Sequence, residues 1–146
     1  MKKFLSILSV LVVLIIGVYF IYTSEPPSPT ITVGGKNIAS AQGSYCWRGL
    51  LNGKCVDMVS PPEIIRESGL KPIIVSPEAQ LKIEFRNKPK ENSLGVNIWV
   101  SDQETEVVPL NGNVLIVPKE KGVYVYDIFA GWEKGSSSYA FVIEVQ

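Results

Sequence analysis

Two cysteines, Cys46 and Cys55, stand with eight residues between them in "CWRGLLNGKC". A dithiol that turns over electrons wants two intervening residues in a βαβ setting, and a zinc site wants histidines or a second cysteine pair. Neither pattern is present. Gly49 and the Asn52-Gly53 turn signal let this segment double back, so in an oxidising compartment the two sulfurs should form one structural disulfide. The braced loop carries Trp47 and Arg48 beside the first sulfur and Leu50 and Leu51 at its tip, an apolar and cationic finger of the kind enriched in binding hot spots. The competing reading is that Trp47 packs beside the disulfide while the leucines close an open end of the core. Trp132 poses the same alternative, an inward strand residue or an exposed anchor, and the five residues Trp47, Arg48, Leu50, Leu51 and Trp132 form the candidate binding set.

The remaining chemistry is sparse. The chain has no histidine, which removes Ser-His and Cys-His nucleophilic pairs, most zinc sites and the usual proton shuttle near neutral pH. Asp57 and Glu63 are the one acid pair flanking a strand-to-helix corner, and Glu63 already has a capping task in "SPPE". Asp102, Glu104 and Glu106 in "SDQETE" would share one face of an extended segment, better read as a solvated acidic strand edge than as a calcium site. No catalytic residue, metal site or cofactor is expected, and the chain is not expected to be an enzyme.

The elements that hold these residues begin with "FLSILSVLVVLIIGVYFIY", Phe4 to Tyr22, nineteen residues without a charge, fourteen of them Leu, Ile, Val or Phe. As a helix this run covers about 28 Å, one hydrocarbon thickness. Lys2 and Lys3 before it and Glu25 after it point Met1 to the cytoplasm and the rest outward. A cleaved signal peptide is the alternative, but the run is long and no small-x-small site follows in "IYTSEPPSPT". The expected organisation is a cytoplasmic stub over 1–3, a transmembrane anchor over 4–22, a Pro-rich stalk over 23–30 and an extracytoplasmic domain over 31–146. Beyond the span twelve Lys and Arg face fourteen Asp and Glu, a net −2 that argues against a nucleic-acid partner.

The domain alternates with period two. Leu81, Ile83 and Phe85 oppose Lys82, Glu84 and Arg86, and Val96, Ile98 and Val100 share a face of "GVNIWV". The segment from Gly122 to Val145 reads as a long hairpin, with Tyr124, Tyr126, Ile128 and Ala130 facing Tyr139, Phe141, Ile143 and Val145 across a bend at Gly135 to Ser138. One helix of about two turns is expected in "SPPEIIRESGL", with Ser60 as N-cap and Gly69 as C-cap. About eight strands and one small helix lead to an all-β fold, an immunoglobulin-like Greek-key sandwich, with an open barrel as the alternative.

The segments "GSYCW", "CVD", "SPPE", "GVYVYDIFAGW" and "YAFVIEV" resemble those of a group of small membrane-anchored or lipid-linked proteins of Gram-positive, Bacillus-type bacteria. The resemblance implies an extracytoplasmic β-domain and no particular activity; unlike lipid-linked members, this chain has no lipobox cysteine. Three roles follow: a membrane-tethered binding or interaction module with another envelope protein as partner; an inhibitor-like sandwich that fills a protease cleft with the Cys46 to Cys55 loop; and a structural subunit of an envelope or sporulation complex.

Overall fold

The computed structural model describes residues 2–22, 25–49, 52–101 and 103–146, with side chains on the first helix described over residues 3–18. That helix, α1 (Lys2–Tyr22), is 21 residues long, and Phe4, Leu5, Ile7, Val13 and Ile15 are all more than half exposed on it. Among the described residues no helix is long and apolar enough to cross a membrane. The rest is β-rich, with eleven strands among the described residues rather than about eight, because several that pair for only three residues carry too little alternation to be recognised.

Two sheets enclose one core. The smaller takes β1 (Pro29–Val33), β2 (Lys36–Ile38), β6 (Gln80–Phe85) and β9 (Val114–Ile116) in the order β2-β1-β6-β9, all antiparallel. The larger runs β4-β3-β11-β10-β7-β8, from β3 (Ala41–Arg48), β4 (Gly53–Val56), β7 (Gly95–Ser101), β8 (Glu104–Val107), β10 (Gly122–Trp132) and β11 (Gly135–Val145). β5 (Ile73–Val75) adds to it as a parallel partner of β11, the one parallel pairing among the described residues. Ile31, Leu81, Ile83 and Leu115 of the first sheet meet Val96, Tyr126, Ile128, Phe141 and Ile143 of the second in a single buried cluster. Tyr126 and Phe141, cross-strand partners, stack with ring centroids 4.9 Å apart. The expected facing of the long hairpin holds: Tyr124 pairs with Ile143, Tyr126 with Phe141 and Ile128 with Tyr139.

The helix α2 (Pro61–Ser68) forms where its capping residues predict. Glu63 Oε2 accepts the Ser60 backbone N–H at 3.2 Å and its hydroxyl at 2.8 Å, and Gly69 takes the left-handed conformation at φ 68° that a residue with a β-carbon resists. Ile64 and Ile65 do not enter the core between the sheets; they pack with Ala140 and Val142 on the outer face of the larger sheet. This explains why β11 departs from clean alternation. From Tyr139 to Ile143 every residue is buried, the inward ones by the core and Ala140 and Val142 by the helix.

Two boundaries and the facing of one residue differ from those expected. The hairpin turns at Glu133 and Lys134, with Trp132 opposite Gly135, and Ser136 to Ser138 lie in β11. The serines are short enough to sit where β3 crosses: Ser137 is buried beside Gln42, and the Ser138 hydroxyl donates to the Ser44 carbonyl at 3.3 Å. The stalk is shorter than its prolines suggest, since Pro26 is buried, the Pro27 carbonyl accepts the Tyr139 hydroxyl at 2.7 Å, and Pro29 opens β1 opposite Phe85. Proline is tolerated at the first residue of a strand, so the run joins the sheet rather than standing clear of it. Val100 is exposed, at the irregularity where the β7–β8 register shifts between Trp99 and Ser101 and the alternation of the strand is broken.

Candidate functional site

Cys46 and Cys55 are direct cross-strand partners in the β3–β4 hairpin and form the expected disulfide, with Cα atoms 4.0 Å apart. Both lie on the solvent side. Strand alternation then turns the next residue, Trp47, inward. Trp47 is 8% exposed and meets Trp132, also 8% exposed, edge to face at 5.7 Å; Phe85 meets Trp132 at 5.1 Å and Tyr139 at 5.9 Å. These four rings close one end of the core.

The candidate binding set is therefore split. Trp47 and Trp132 are core residues, and Trp47 packs on Trp132 rather than beside the disulfide, which lies on the other face of its strand. Arg48 is exposed, and its backbone N–H donates to the Lys134 carbonyl at 2.7 Å, tying the β3–β4 hairpin to the β10–β11 turn. Leu50 and Leu51 lie outside the described residues. Of the acidic residues considered, Asp57 is exposed; Glu63 is held below the usual carboxylate range by the Ser60 hydroxyl and then by the Ser60 backbone N–H, which marks it as a cap. Glu104 and Glu106 are exposed on β8, Asp102 lies outside the described residues, and no metal-holding cluster of acids and cysteines occurs among the described residues.

What the aromatic end does present is a basic rim. The connection from Arg86 to Leu94 is fastened across it: the Trp132 indole N–H donates to the Asn87 carbonyl at 2.8 Å, and the Lys90 N–H donates to the Gly131 carbonyl at 2.8 Å. The Ser93 hydroxyl oxygen accepts the Gly131 N–H at 3.2 Å and lies 2.9 Å from the Gly131 carbonyl. Between this connection and the hairpin turn is an open hollow of about 540 Å³ with Trp47 and Trp132 in its lining and Glu25, Lys88, Lys90 and Lys134 around it. Lys90 pairs with Glu133 at 3.3 Å; Lys88 and Lys134 have no ion pair among the described residues. Sequence reasoning missed these lysines because they come from two loops more than forty residues apart, which the packing of Phe85 on Trp132 and the bonds from the Trp132 indole to Asn87 and from Lys90 to Gly131 bring to one end.

A second position was not anticipated. Asp127 lies on the outer face of β10, opposite Ala140 and Asn97, and burial pushes its carboxyl from an ordinary 3.8 up to about 6. The folded protein holds this proton to higher pH than the unfolded chain, so stability falls as pH rises from about 4 to about 6 and is level above that. Asp127→Asn should therefore stabilise the domain at pH 7.5 by about 1 to 2 kcal/mol, since the carboxylate is only partly screened by solvent. At pH 4 the two proteins should melt together. Equal melting curves at both pH values would show that Asp127 is solvated.

Compared with protein-family models, with curated proteins and with solved structures, the chain finds no match.

Proposed function

We propose that the protein is a membrane-tethered, extracytoplasmic binding or interaction module, held by residues 4–22 and performing no catalysis. The observation that carries the reading is the composition of α1. Phe4 to Tyr22 has no charge, the helix continues to Tyr22, and its described side chains are exposed on every side. A helix apolar all round needs a nonaqueous neighbour, and at about 1.5 Å per residue the complete helix measures roughly 31 Å, enough for a bilayer. The charge placement around it favours an outward domain, where the Cys46 to Cys55 disulfide persists. The absence of histidine and the capping role of Glu63 support a non-enzymatic role. The resemblance to anchored Bacillus-type proteins and an immunoglobulin-like Greek-key wiring of the two sheets belong to the same proposal. Another envelope protein is the partner class it favours.

A reporter fused after Gln146 should be active only outside the cytoplasmic membrane, with the protein recovered in the membrane fraction and its N-terminus at or near Met1. A mature start between Thr23 and Thr30 would replace the anchor with a cleaved signal peptide.

A further inference from the structure

We propose that the aromatic end of the domain docks flat on the membrane that holds α1, its cations engaging anionic phospholipid headgroups. The inference rests on the anchor reading above. Its first support is the tether. α1 ends at Tyr22 and Pro26 is already buried, so residues 23 to 25 are all that separates the helix from the folded domain. At about 3.5 Å per residue the distance from Tyr22 to Pro26 is at most about 14 Å, against roughly 5 to 8 Å of headgroup layer on each side of the hydrocarbon. A freely displayed domain would need a longer stalk.

The second support is which end the tether enters. Pro27 is bonded to Tyr139, Pro29 pairs with Phe85, and Phe85 packs on Trp132, so the chain joins the domain at the end closed by the aromatic cluster. The third is charge. Arg48, Lys54, Arg86, Lys88, Lys90 and Lys134 all belong to this end, carried by the β3–β4 hairpin, the connection after β6 and the β10–β11 turn, and all are exposed. The acids beside them are Glu25, Glu84, Glu91 and Glu133, and Glu84 is paired with Lys82 at 2.9 Å. With Lys82, seven cations less four acids is +3 here; the other five of the twelve cations and ten of the fourteen acids beyond the helix leave −5 for the rest. A tether of this reach keeps the basic end within about one Debye length of the lipid surface, where such charges act. The fastening of residues 87 to 93 onto β10 holds Lys88 and Lys90 in place, so docking orders little that the fold has not already ordered.

The test uses the full chain reconstituted through its helix into phosphatidylcholine vesicles with and without phosphatidylglycerol. A membrane-impermeant amine-acylating reagent is added, and each lysine's rate is read by mass spectrometry. Lys36, Lys119 and Lys121 lie at the opposite end of the strands and serve as internal references. In anionic vesicles at low salt Lys88, Lys90 and Lys134 should react several-fold more slowly than the references, and high salt should remove the difference. The double variant Lys88→Glu, Lys134→Glu, altered only at exposed positions, should lose the protection of Lys90. Equal rates in both lipids, with the protein retained through an alkaline carbonate wash, would overturn the docking and leave the anchor standing. Protection that is the same without phosphatidylglycerol would overturn the headgroup charge as its cause. Loss of the protein in the wash would overturn the anchor and the docking together.

Discussion

Trp47→Ala should lower the stability of the β-domain by about 3 to 5 kcal/mol, the range for deleting a large buried ring. On the outside of the loop the same change would cost well under 1 kcal/mol, the usual effect at an exposed position. The difference comes from one alternation step: Cys46 faces solvent, so Trp47 faces inward, where it covers Trp132 and through it Phe85 and Tyr139. Urea unfolding followed by far-UV circular dichroism measures the change, and a midpoint shift smaller than that of a surface control such as Lys54→Ala would remove Trp47 from the core. Because Trp47 is structural, its loss is also a poor test of binding. Arg48 and the lysines of the rim carry that question.

Gly135→Ala should be nearly as damaging, about 3 kcal/mol, although it adds a single methyl group. Gly135 closes the β10–β11 turn at φ 148°, and a β-carbon there would overlap the Cys46 carbonyl oxygen and lie 3.2 Å from the Trp47 Cα. Both neighbours are backbone, so neither can swing aside without breaking the pairing of β11 with β3. Gly95→Ala is the matching control. A β-carbon there overlaps the Phe129 ring, whose far end is half-exposed and free to rotate away, and the loss should be smaller. If the two variants melt alike, the close approach at Gly135 is not a constraint.

The parts of this fold that were legible in the sequence are those where one local rule acts alone. Leu81 and Ile83 alternate because β6 has one wet face, and Ser60, Glu63 and Gly69 delimit α2 because capping is a short-range matter. The parts that were not legible involve two surfaces at once. "SSSYAFVIEV" reads as turn followed by strand because serines favour bends, yet Ser137 is buried where β3 crosses, and Ala140 and Val142 are buried under a helix more than seventy residues earlier. "EPPSPT" reads as a free stalk because proline cannot donate to a ladder, yet Pro29 lies at a strand's first position and Pro26 is covered by tertiary contacts that composition does not record. Of the candidate site, the Cys46–Cys55 pairing was readable from spacing. The basic rim was not, since its members share an end of the molecule and no stretch of chain.

The arrangement around β11 also sets the order in which this domain can be made. β11 is flanked by β10 on one side and by β3 and then β5 on the other, and it contributes the inner wall of the core and the seat of α2. Yet it follows the ten other described strands in chain order. Until its residues emerge, β3, β5 and β10 have no common partner and α2 lacks Ala140 and Val142, the buried centre of the surface it covers, so no earlier portion of the chain holds a closed core. Growing chains should remain open and protease-sensitive until nearly all of residues 135 to 145 are available, and then fold in one late step dominated by long-range pairings. A chain with that timetable stays threadable until residues 135 to 145 have been made, which is what export of the domain proposed above would require.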